Sequence, residues 1–223
     1  MSSKSITGSS IGRKIAMALS ALFLIVFLTQ HLIINLTSVI SPSLFNEISH
    51  FMGTNFLVQF FMQPILLFGV LFHFIMGFIL ESKNRGARPV KYAYENASAN
   101  ASWVSRNMIY SGLAIGIFLL IHLIDFWVPE ISHKYIQCTP EDPNRYFHEL
   151  HEKFKDLWRV ALYCLAFVFL GLHLNHGFAS AFQSVGANHS KYNDGLKTFG
   201  KVFSILVPAL FIVIALFHHF VAA

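Results

Sequence analysis

Five apolar stretches, each long enough to cross a bilayer, constrain this chain more than any other feature. They fall at roughly 14–38, 56–81, 104–128, 157–184 and 199–221. About 20 apolar residues span the hydrocarbon core as a helix rising 1.5 Å per residue. No water is present there to satisfy backbone groups, so a helix is the predicted state of each stretch. The composition agrees, with 55% hydrophobic and only 12% charged residues, against about a quarter charged in soluble domains. The predicted fold is an all-α membrane protein, with five transmembrane helices bundled into one domain over residues 1–223. There is no repeat, Pro-rich linker or separate soluble domain. The first stretch is about twice as long as a signal-peptide core and lacks a cleavage site, so it reads as a retained span. Pro64 and Pro208 fall inside spans, where membrane helices tolerate kinks.

Lysine and arginine give the expected orientation, because cytoplasmic segments carry the excess. With the N-terminus in the cytoplasm, the inner segments hold Lys4, Arg13 and Lys14, then the basic run Lys83 to Lys91 with Arg106, then Lys191, Lys197 and Lys201. The outer segments hold Lys134, Arg145, Lys153, Lys155 and Arg159, beside a larger set of Asp and Glu. Eleven against five predicts N-terminus in and C-terminus out. Cys138 falls in the outer loop and Cys164 inside the fourth span, too far apart to bridge. No CxxCH is present, which excludes c-type haem attachment.

Seven of the twelve histidines lie within spans: His31, His73, His122, His173, His176, His218 and His219. Ionisable residues at such depth usually mark function, although one alone can simply bond a neighbouring helix. Helical rise converts position into height. His31 and His122 lie roughly 25 Å above the inner ends of spans one and three. His73 and His173 lie roughly 12 and 16 Å above the inner ends of spans two and four. The histidines therefore form two levels about 10–15 Å apart, each supplied by two helices. Two imidazoles from separate helices suit the axial positions of a haem iron within a bundle. Two levels imply two stacked b haems and an electron path across the membrane. Gly69 and Gly77 flank His73 at i−4 and i+4, and Gly177 follows His173 at i+4, so a flat macrocycle has room there; helix packing is the other use of such glycines. His173 and His176 share one helix face, and spacing alone leaves the fourth ligand open between them.

These residues sit in SSIGRKIAMALSALFLIVFLTQHLIINL, HFIMGFILESKNRGARPVKY, SRNMIYSGLAIGIFLLIHLIDFW and GLHLNHGFASAFQSVGANHSKY. Along its whole length the chain resembles the cytochrome b subunit of succinate:quinone oxidoreductases, in the b558 branch with one large di-haem anchor. The resemblance implies a bacterial cytoplasmic-membrane subunit with two haem b, His31 and His122 holding the outer one and His73 and His173 the inner one. In related anchors the fourth-helix ligand is followed by Gly at i+4 and i+13, as His173 is by Gly177 and Gly186; His176 is the alternative. It further implies a flavoprotein and an iron–sulfur subunit on the cytoplasmic side, docked near KNRGARPVK, and a quinone, menaquinone in the two-haem branch, near the outer haem. Gln30, Asn55, Gln59 and Gln63 are polar groups at that height, and Glu47 is the nearest match to an acidic residue that handles quinol protons in some relatives.

Two other readings compete. A haem b subunit of a hydrogenase, formate dehydrogenase or bc-type complex is one, although no span carries the two histidines 13 or 14 apart expected of the bc type. A metal or proton transporter is the other; it expects carboxylates beside the histidines, and only Asp125 is near. The chain has no flavin motif, iron–sulfur cysteines or dicarboxylate site of its own. His218 and His219 read as interfacial, and His133, His148 and His151 as members of an exposed loop able to take a stray metal.

Overall fold

The computed structural model describes residues 9–86, 108–187, 189 and 191–221. Among them the chain is helical, with no strands. Five helices are long and apolar enough to cross a membrane: α1 (Ser10–Ile40), α3 (Val58–Gly86), α4 (Met108–Ile136), α6 (Leu157–Ser184) and α7 (Asn193–Phe220). Two shorter helices, α2 (Pro42–Thr54) and α5 (Arg145–Phe154), fill the connections at one end, called here the cap end. The chain is thus a multi-pass membrane protein by length and composition of its helices.

Helix ends follow local chemistry. Ser9 caps α1 by accepting from the Gly12 amide at 2.9 Å. Ser41 both ends α1 and caps α2, whose first residue is Pro42; proline suits that position because its missing N–H has no intrahelical partner there. Asp156 caps α6 through the Trp158 amide at 3.1 Å. At the other end of α3, Lys83 and Arg85 occupy the last turn, facing the negative pole of the helix. Only Lys83 to Gly86 of the basic run is described; Arg88, Lys91, Arg106 and the start of the third stretch lie outside the described residues.

The third span differs from expectation at its cap end. Instead of stopping at 128 it continues to Ile136, through π-helical turns at Leu123–Trp127 and Ser132–Ile136. The Val128 amide bonds Leu123, five residues back. This wider turn changes register immediately before Pro129, so the missing proline donor does not stop the helix.

α6 and α7 pack most extensively, and α6 also meets α1 and α4, while α3 leans mainly on α1. The α6–α7 seam is close because Gly171 faces the Ser204 carbonyl, 3.0 Å from where a Cβ would stand. Gly69 works the same way: its notch is filled by the Phe23 ring, 2.7 Å from a would-be Cβ. In this structure Gly69 serves the α1–α3 packing, not an open cradle. Most of the buried apolar core lies towards the cap end, around Phe154, Val160, Tyr163, Phe211 and Ile214. The α3 window carries no buried residue, and exposed Phe68, Leu71 and Ile75 give it a lipid-compatible surface.

Candidate functional site

The structure joins the four depth-matched histidines in two pairs. His31 of α1 and His122 of α4 have ring centroids 5.8 Å apart, with planes at 87°. His73 of α3 and His173 of α6 have centroids 6.3 Å apart, with planes at 73°. The first pair is nearer the cap; the second lies on its far side. Two helices supply the same ruler. On α1, Ser20 touches far-side His73, and His31 follows eleven residues later. On α4, Ser111 touches far-side His173, and His122 again follows eleven residues later. Eleven residues rise about 16 Å, slightly more than the separation expected from sequence.

The far-side pair is held by serines. Ser20 Oγ lies 3.1 Å from His73 Nδ1 and 2.7 Å from the Met17 carbonyl. Ser111 Oγ lies 3.2 Å from His173 Nδ1 and 2.8 Å from the Met108 carbonyl. A hydroxyl has one proton to donate. Both contacts form together only when that proton goes to the helix carbonyl and the imidazole Nδ1–H donates to Oγ. Each ring then presents a lone pair at Nε2. The residue paired with His73 is His173; His176 lies half-buried one turn further along α6. Gly112 also backs His173, its would-be Cβ standing 3.6 Å from Cε1.

The cap-side pair is held differently. His31 stacks on Phe27 and leans on Phe211, while His122 sits among Phe118, Phe126 and Tyr163. Among the described residues, His122 Nδ1 is buried without a hydrogen-bond partner. His31 Nε2 lies 3.4 Å from Asn35 Nδ2, which also donates to the His31 carbonyl at 2.8 Å.

Next to this pair lies a charge cluster that sequence reading passed over. Asp125, three residues beyond His122 in the π-helical turn, is 4% exposed. One carboxylate oxygen accepts from Arg159, and the other accepts from the Tyr163 hydroxyl at 2.8 Å. Both its oxygens are engaged within the bundle, so the carboxylate is a structural tie between α4 and α6. The only signal in the sequence was an acid within helical reach of His122.

The cap corrects the exposed-loop expectation for His151, while His148 stays exposed. α5 buries Leu150, His151 and Phe154, and Asn46 of α2 stitches it down. Asn46 donates to the Asn144 carbonyl at 3.0 Å and accepts from the Phe147 amide at 2.7 Å. Glu130 binds Lys134 at 2.5 Å and also Arg145, which reaches Glu149 at 2.8 Å. Burial lowers the Arg145 pKa, but the hydrogen bonds it donates to Glu130 and Glu149 outweigh that and raise it overall. His218, fully buried, bonds Ser38 at 2.9 Å and packs against Phe147 and His151; His219 Nδ1 donates to the Phe154 carbonyl at 2.9 Å. These C-terminal histidines therefore dock the cap. Among the described residues no three His, Cys, Asp or Glu side chains converge as a direct metal site, and Cys138 and Cys164 are free.

The polar residues expected near a quinone are scattered. Gln30 is exposed on α1 and Glu47 on α2, while Gln59 accepts from the Tyr135 hydroxyl at 2.8 Å and Gln63 is half-buried where α3 leaves its π-helical turn. No family model, no curated protein and no solved structure matches the chain.

Proposed function

We propose that the chain is the di-haem cytochrome b anchor of a bacterial succinate:quinone oxidoreductase, with N-terminus and far side towards the cytoplasm and cap and C-terminus outside. One observation carries this reading: two intramembrane imidazole pairs, each assembled from two helices, at separations suited to sharing one iron. With a nitrogen–metal bond of about 2 Å and about 1 Å from nitrogen to ring centre, two imidazoles that would hold one metal between them have centroids roughly 6 Å apart. The observed 5.8 and 6.3 Å fit that requirement. The far-side serines fit it too, since ligating histidines commonly donate their second nitrogen to an acceptor. His73 and His173 would hold one haem b, and His31 and His122 the other. The groups, when bound, supply one-electron iron couples.

The chain's own residues orient the ligands, exclude water and seal the outer end. His31 and His122 do so within aromatic walls, and the cap covers the core above them. Partners are a flavoprotein and an iron–sulfur subunit on the cytoplasmic face, and a quinone, menaquinone by resemblance, on the outer side. Glu47, Gln30, Gln59 and Gln63 are its polar candidates. The test is purification of the chain from its source membranes. Co-purifying flavin and iron–sulfur subunits, with succinate-dependent quinone reduction that is lost in His122→Ala while oxidation by soluble acceptors persists, is the expected result. Partners without a succinate activity would move the chain to another membrane oxidoreductase.

A further inference from the structure

We propose that Ser20 and Ser111 are positioning residues which lock the far-side histidines as Nδ1–H tautomers and thereby tune that level alone. The inference rests on the haem reading above and adds what that reading does not contain. Each serine comes from a helix that carries the other pair's ligand, not from the helix of the histidine it touches. Each has its single proton directed to the carbonyl three residues back, at 2.7 and 2.8 Å, leaving Oγ to accept. The two His–Ser contacts, 3.1 and 3.2 Å, are nearly equal. Fixing the proton on Nδ1 makes Nε2 the lone-pair nitrogen of both rings. Donation from Nδ1–H also lends the ring anionic character, strengthening Nε2 as a ligand and favouring oxidised iron. Among the described residues the cap-side pair has no equivalent: His122 Nδ1 is unpartnered there, and the polar neighbour of His31 is an amide donor at 3.4 Å. The serines therefore set the two levels apart electronically.

The experiment uses the purified holo complex. Ser20→Ala, Ser111→Ala and the double variant are titrated potentiometrically, with paramagnetic resonance of the oxidised state, and His73→Ala identifies the far-side signal by its loss. Both single variants should retain two haems, shift the far-side midpoint upward, shift it further together, and leave the cap-side signal in place. Ser20→Thr and Ser111→Thr, which keep a hydroxyl, should restore the parent values. Two haems with unchanged potentials and spectra would overturn the tuning role, as would equal shifts at both levels. If an alanine variant fails to assemble, the threonine variants and histidine-selective nitrogen NMR of the parent decide. Nε2 protonation of His73 or His173 in the haem-free chain contradicts the lock. A parent complex without haem would instead overturn the reading beneath the proposal, and the tuning role with it.

Discussion

The two histidine pairs use the same side chains at nearly the same separation, yet their surroundings differ. On the far side, Nδ1 of each ring contacts a serine hydroxyl, and α3, which carries His73, has no buried residue. On the cap side, the rings are walled by aromatics, one nitrogen is orphaned, and a buried Asp125–Arg159 tie and a docked helix close the end. The far-side pair is thus preset by hydrogen bonds in a thin setting, and the cap-side pair is enclosed by packing. Orientation and enclosure are separate ways to hold an imidazole. This chain uses one at each level.

On the di-haem proposal, the largest effects should come from the four paired histidines. Alanine at His31 or His122 should remove one haem of two and leave the far-side spectrum; alanine at His73 or His173 should do the reverse, and His176→Ala should keep both. Haem counting checks each, and a His176→Ala chain with one haem would break the far-side half of the comparison. Next comes His218→Ala. It deletes a fully buried side chain and its bond to Ser38, costing about 2–4 kcal/mol. Hydrogen exchange should show α5 loosening first, with the far-side pair unaffected.

The two pairings were legible because helical rise turns residue number into height. His31 with His122 needed only the positions and directions of the spans; for His73 the height left His173 and His176 open on one helix face, and the choice of His173 came from the resemblance. The partners of those rings were not legible. A serine in a membrane helix most often bonds its own backbone, as Ser20 and Ser111 also do, so nothing in the sequence separates them from Thr29, which does only that. The burial of α5 was hidden for another reason. RYFHELHEKF reads as polar, and its apolar face emerges only when Phe147, Leu150 and Phe154 are placed on one side of a helix. The π-helical turns around Pro129 depend on side-chain packing that periodicity does not carry.

Smaller effects sharpen the cap side. Asp125→Asn removes the charge facing Arg159, and because Arg159 is one-third exposed the cost should be about 2–3 kcal/mol, below that of a fully buried pair. Tyr163→Phe removes one hydrogen bond to the same carboxylate, which keeps its Arg159 partner, and should cost about 1.5 kcal/mol, the low end for a bond to a charged group. Thermal unfolding in detergent checks the order, and a larger loss in Tyr163→Phe would contradict it. Smallest of all, Glu152→Gln breaks an exposed, solvent-screened pair with Lys155 and should leave the unfolding temperature where it is in the parent chain.

The central claim, that four histidines on four helices hold two haems at two levels, is tested most directly by the haem-to-protein ratio of the purified chain with its reduced-minus-oxidised visible spectrum. The account predicts two low-spin b haems per chain. A folded, haem-supplied preparation that binds none would contradict it.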